Sequence, residues 1–170
     1  MTRKEAIVAG ITGLSALAMS AADVQAEVSK ESPEVKKIRA LLKAHDKAFT
    51  NHNLNGVMAC LARKAAIMGT GPGEIWAGPA EIRMAYERFF EGFDKGEQDF
   101  DYHFRIGDVG TDMGWLMTSG EVTGKKNGKR IAFPLNLSLT VTKEDGNWKI
   151  AAMHFSTLTE GERVQTTETF

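Results

Sequence analysis

The sequence predicts an α+β fold, with helices first and a mainly antiparallel sheet after them. Three observations carry this. Apolar residues recur at helical spacing over residues 35–52 and again over 82–93. After Asp94-Lys95-Gly96 the period changes from 3.6 to 2 and keeps that value to Leu158. Two tight-turn dipeptides, Asn127-Gly128 and Asp145-Gly146, divide this second half into hairpins. Helices grouped ahead of strands, rather than alternating with them, separate α+β from α/β.

Ser32-Pro33 opens the first helix, with the serine as N-cap and the proline at the first helical position, where its missing N–H is no loss. Its buried stripe reads Val35, Ile38, Leu41, Leu42, His45, Ala48, Phe49 and His52. Asn51, Asn53 and Asn55 break it, and Asn55-Gly56 begins a short helix that ends near Ala62. A short strand over 65–68 leads to a glycine-rich bend, 69–73. This bend is not a phosphate loop, because it lacks the Lys-Ser/Thr and the long helix that would follow directly. A second short strand over 74–77 meets Gly78-Pro79, which starts another helix. Glu81 in its first turn faces the positive end of the helix dipole, and Ile82, Tyr86, Phe89 and Phe93 form its buried stripe. Strands are expected over 98–106, 112–124, 129–142 and 148–158.

A chain of 170 residues, 42% of them apolar, holds enough material for one domain with a sizeable core. Its net charge of −1 argues against a nucleic-acid or anionic-membrane partner. Lys125, Lys126, Lys129 and Arg130 surround Asn127-Gly128 and read as a solvated hairpin tip. At the start, Arg3 and Lys4 precede an apolar run over 6–22, and Val24-Gln25-Ala26 has the small residues of a cleavage site. The expected organisation is a signal peptide over 1–26, a linker over 27–34, the domain over 35–158 and a tail over 159–170. Export to a periplasm or outside the cell follows, with no membrane contact after cleavage. An uncleaved anchor is the alternative, although the run falls short of the ~20 residues a span needs. Cys60 is the only cysteine, so no intrachain disulfide forms, and it reads as a small core residue. His45 and His52 stand two turns apart, roughly 10 Å, too far to share an ion. No metal or cofactor motif is present in the sequence.

Leu54-Asn55-Gly56, then Gly78 with Ile82-Arg83 and Tyr86, then Phe133-Pro134-Leu135-Asn136 occur in an order and spacing that resemble the nuclear transport factor 2-like superfamily. That group includes ketosteroid isomerase and the SnoaL-like cyclases. The resemblance implies a cone: a curved antiparallel sheet packed on N-terminal helices, a cystatin-like α+β barrel, with a pocket inside. Leu54-Asn55-Gly56 is similar to a Leu-Asp-Gly in the isomerase, and this match puts His45 where that enzyme carries its oxyanion tyrosine. The Phe-Pro-Leu-Asn match puts Asn136 where it carries a protonated aspartic acid. The resemblance thus implies two donors aimed at one ligand oxygen, a carbonyl or phenolate. The same register puts Gly69 at the isomerase's catalytic aspartate. Glycine cannot take a proton, so that mechanism is not supported.

Other residues offer chemistry. His154 shares a period-2 face with Ile150, Ala152 and Ser156, and is either a catalytic base lining the cone or a polar edge residue. Glu121 shares a face with Trp115, Met117 and Ser119, and is either a base or a surface charge. His45 itself is either a ligand contact or a satisfied core histidine. Asp46 points about 100° away around the helix, towards solvent. Met68, Trp76, Phe104, Trp115, Met117 and Met153 either wall a pocket or are ordinary core. Three functions are expected: a binder of a small apolar or aromatic molecule held by His45 and Asn136, an enzyme of isomerase, cyclase, dehydratase or hydrolase type using His154 or Glu121, or an interaction module. If Asn136 faces the pocket, Leu135, Leu137 and Leu139 face outward, so a homodimer through the sheet face is expected to cover them.

Overall fold

The computed structural model describes residues 32–157. The expected signal peptide and tail, and the linker up to Glu31, lie outside the described residues. The elements are α1 (Pro33–Thr50), α2 (Leu54–Cys60), β1 (Leu61–Met68), β2 (Ile75–Ala77), α3 (Gly78–Phe90), β3 (Asp99–Val109), β4 (Met113–Lys126), β5 (Lys129–Glu144) and β6 (Asn147–Ser156). One curved, unclosed sheet has the order β2-β1-β6-β5-β4-β3. All its pairings are antiparallel except β1 with β6.

Local chemistry explains the boundaries. Asn53 caps α2 by accepting the Gly56 N–H at 3.0 Å. Pro79 stands in the first turn of α3, and the Glu81 carboxylate reaches back to the Ala77 N–H at 2.8 Å. Asn127 and Gly128 both take positive φ, 53° and 76°, as a two-residue hairpin requires. The Asp94 carboxylate accepts both of their N–H groups, at 2.8 and 2.7 Å, and these bonds hold its pKa below the usual carboxylate range. At the other end of the sheet, the Glu34 carboxylate of α1 accepts from Trp148 Nε1 at 2.6 Å and pairs with Lys37 and Lys143. Its pKa falls to about 2, because Lys37, Trp148 and Lys143 all favour the ionised form.

α1 and α3 bury their stripes against the inner face of the sheet. Val57, Ile67, Ile82, Ala85, Val141 and Ile150 form the heart of that core. Cys60 is buried, its thiol set on the Gly56 carbonyl at 3.4 Å, and burial pushes its pKa up.

Which strand face points inward is set by the apolar alternation, and two one-residue bulges reset it. On β5, Leu139 and Val141 are buried and Leu135 and Leu137 half-buried, whereas Asn136 is exposed. The leucines therefore face the helices, contrary to the expectation that they point outward. On β6, Ile150 pairs with Val141 but Ala152 pairs with Thr140, so Ala151 is an extra residue. Ile150 and Met153 both become buried, and His154 falls on the opposite face from Ile150. On β3, Tyr102 pairs with Gly120 and Phe104 with Ser119, which makes His103 the extra residue and turns Phe104 out, 57% exposed.

Candidate functional site

Between α1, α3 and the inner face of the sheet lies a cavity of about 500 Å³. Phe133, Leu135, Leu137 and Leu139 line it from β5, one inward position after another. From the first to the last is six residue steps, roughly 20 Å of strand. Phe49 of α1 and Phe89 of α3 close the other side.

The polar feature of this wall is a pair of side chains. His45 on α1 and Tyr86 on α3 are both buried, and both line the cavity. His45 Nε2 lies 2.6 Å from the Tyr86 hydroxyl oxygen, and His45 Nδ1 lies 3.3 Å from Asp46 Oδ1. A carboxylate only accepts, so the Asp46 contact assigns the imidazole proton to Nδ1. Nε2 then accepts the tyrosine O–H, and the phenol oxygen keeps its lone pairs for a ligand. The Tyr86 ring is fixed edge-on by Phe49 and Phe89, with centroids at 6.1 and 5.8 Å. Burial, with smaller effects from Cys60 and Asp46, raises its pKa far above that of a free phenol, so it stays neutral. Tyr102, facing the cavity from β3, is likewise shifted up, chiefly by burial.

Exposed charged residues rim this apolar space, Asp46, Glu74, Asp99 and Arg88, and the Arg105 guanidinium lies 3.6 Å from the centre of the Tyr102 ring. Glu74 accepts the Gly71 N–H at 2.8 Å and presses against Gly69, where a Cβ would overlap its carboxylate. A carboxylate thus reaches the neighbourhood of position 69 from the bend instead of from position 69 itself. Gln98 also lines the cavity, and its Oε1 is the buried side-chain polar atom left without a protein donor among the described residues.

Of the residues expected to contact a ligand or act as a base, only His45 lies here, while Met153, one of the expected wall residues, also lines the cavity. Asn136 is exposed on the outer face, its amide 3.4 Å from Ser156 Oγ, so the His45–Asn136 pair is not assembled. Met68, Trp115 and Met117 are 42%, 43% and 52% exposed on that same outer face. Glu121 and His154 are exposed there as well. β4 and β5 follow the apolar alternation, the Ala151 bulge sends His154 out, and Met68 of β1 pairs with His154 and shares its face. Tyr86, Gln98 and Glu74 were not singled out as functional. A tyrosine inside a helical apolar stripe was the available signal for the first, since a buried hydroxyl needs a partner. No signal in the sequence marks Gln98 or Glu74.

The chain is thus an α+β protein whose helices and curved sheet enclose a half-open apolar cavity carrying a few polar groups. Residues 38–160 match the model of the SnoaL-like domain, and the chain belongs to that family. Solved structures agree on the fold. An NTF2-like protein of unknown function from Pseudomonas putida KT2440 superposes with a TM-score of 0.63 at 14% identity, covering 75% of this chain and 88% of the other. A putative dehydratase of the NTF2-like family from Streptomyces avermitilis gives 0.63 at 11% identity, over 74% and 97%. A ketosteroid isomerase-like protein from Erwinia carotovora atroseptica gives 0.61 at 21% identity, over 76% and 99%. No curated protein sequence matches significantly.

Proposed function

We propose that this SnoaL-like domain binds a small, largely apolar molecule inside the cone, with the Tyr86–His45 pair as its polar anchor. The observation that carries the reading is the 2.6 Å bond between Tyr86 and His45 in the wall of an aromatic, otherwise greasy cavity. The anchor replaces the oxygen grip expected of His45 and Asn136. Export through the N-terminal segment remains part of the proposal and rests on the sequence alone.

The Asp46–His45–Tyr86 chain supports enzymatic use of the same pocket as a second reading. A ligand proton would pass to the Tyr86 oxygen while the tyrosine's own proton moves to His45 Nε2, and Asp46 would stabilise the imidazolium. In that reading the base is His45 acting through Tyr86, rather than His154 or Glu121.

The homodimer now needs a different motive, because the leucines are covered by the helices. The outer face supplies one. Ile75, Met68, His154, Ser138, Met117 and Ile106 are paired in a single row across all six strands, and four of the six are exposed apolar side chains. A second copy related by a twofold axis would cover that row in both molecules.

The neutral fluorophore N-phenyl-1-naphthylamine tests the pocket. The full chain should enhance its fluorescence with one saturable site. Leu137→Trp, which fills the cavity, should abolish the effect, and Tyr86→Phe should weaken it. No enhancement by the wild-type chain, or full enhancement by Leu137→Trp, overturns the pocket reading.

A further inference from the structure

We propose that the outer face of the sheet carries a site for one soft monovalent metal ion, copper(I), with the His154 imidazole and the Met68 and Met117 thioethers as its ligands. The inference stands apart from the cavity reading, because the two sites lie on opposite faces of the sheet.

Register brings these three side chains to one place. Met68 of β1 is paired with His154 of β6, His154 with Ser138 of β5, and Ser138 with Met117 of β4. Neighbouring strands stand about 4.8 Å apart, so Met68 and His154 are side by side, and Met117 is two strands from His154, about 10 Å. An imidazole and a thioether can close that distance over the small serine, because the shared ion lies between them. In the adjacent row Ala66, Ala152 and Thr140 are also small, and Trp115 follows them on β4. Short side chains between long ones leave a hollow of about 360 Å³, and Met68, Met117, His154 and Trp115 all border it.

The donors are available and of one chemical kind. Of the four histidines, His45 is bonded to Tyr86, His52 is stacked on Phe90 and His103 lies 3.8 Å from Asp101. No hydrogen bond or ion pair engages the His154 ring among the described residues, so its nitrogen lone pair is free. Met68 and Met117 are 42% and 52% exposed, although methionine ordinarily fills cores. Thioethers are soft, neutral ligands that select copper(I), and imidazole suits copper as well. Hard ions need carboxylate oxygens, and zinc takes thiolates, imidazoles and carboxylates. Among the described residues no three histidine, cysteine or acidic side chains gather to hold such an ion. The Trp115 ring beside the site adds a π face for a monovalent cation.

Competition for copper(I) between the full chain and bicinchoninate, without oxygen, tests the site. One equivalent should be withheld from the chelator, with a quenching of tryptophan fluorescence that Trp115→Phe removes. His154→Ala, and separately the double variant Met68→Leu, Met117→Leu, should each weaken binding more than about a hundredfold, since loss of even a supporting group in a metal site costs about 10–100-fold. Leucine preserves the apolar row, so the double variant separates metal binding from the dimer proposed above. Cys60→Ala should bind as the wild type does. Failure to withhold copper(I), wild-type affinity in either ligand variant, loss of binding in Cys60→Ala, or zinc(II) bound as tightly as copper(I) would each overturn the proposal.

Discussion

The two faces of the sheet carry different chemistry on the same strands. Along β5, Phe133, Leu135, Leu137 and Leu139 face the cavity, while Asn136, Ser138 and Thr140 alternate with them on the outer face. The residues that look most reactive in the sequence, His154 and Glu121, are on the outer face with Asn136. The inner face instead takes its polar groups from the helices, His45 and Tyr86, and from a loop-proximal glutamine, Gln98. In this cone the sheet supplies apolar wall and the helices supply the anchor. The lesson is one of phase: a one-residue shift moves every side chain of a strand to the other face.

The contrast can be broken most severely by shifting the phase of a strand that has no bulge to absorb the change. Deleting Asn136 from β5 joins Leu135 directly to Leu137 and turns Leu135 and Phe133 outward. Exposing two such side chains should cost about 3–6 kcal/mol, from roughly 1.5–3 each, and is read by urea denaturation. Next comes a matched pair across the sheet. Leu139→Ala on the inner face should destabilise by roughly 2–5 kcal/mol, and Met117→Ala on the outer face by no more than about 0.5. Equal losses for the two would mean that the outer face is buried by a partner, and sedimentation of the wild-type chain would then show a dimer. Tyr86→Phe removes the partner of His45 Nε2 and should cost about 1–3 kcal/mol. Asn136→Ala, which loses only an exposed 3.4 Å contact, should stay within about 0.5.

Acid sharpens the comparison at the α1 end of the inner face. Glu34 has a folded pKa of about 2 against an ordinary 4.5. Its depressed value means that its contribution to stability is present above about pH 4.5 and is lost as pH falls towards 2. Glu34 is solvent-accessible, so the effect is modest. Glu34→Gln should therefore destabilise at neutral pH and converge with the wild type near pH 2, as followed by the fluorescence of Trp148. A Glu34→Gln curve parallel to the wild type from pH 7 to 2 would refute the tether between Glu34 and Trp148.

Much of the fold was legible in the residues. Pro33, the Asn53–Asn55 break and Pro79 bound the helices, and Asn127-Gly128 and Asp145-Gly146 give the hairpins, because these signals are local backbone chemistry. The site was legible only in part. His45 stands out because a histidine in an apolar helical stripe conflicts with its surroundings. Its partner Tyr86 is forty-one residues away, and no local pattern links them. Asn136 was placed by motif similarity against the plain alternation of Leu135, Leu137 and Leu139, and the alternation prevailed. Burying three leucines on the helices gains far more than aiming one amide inward.

By itself, then, the sequence determined the α+β order, the turns and the apolar phase of each unbroken strand, all of which follow from steric preference and hydrophobic period over a few residues. Only the tertiary structure decided where the phase resets, which face of the sheet closes the cavity, and which polar atoms meet there. Ala151 and His103 become bulges through pairing with neighbouring strands, and Tyr86, Gln98 and Glu74 reach the cavity only when three distant segments pack together. Those outcomes depend on burial summed over the whole domain, which no short stretch of chain encodes.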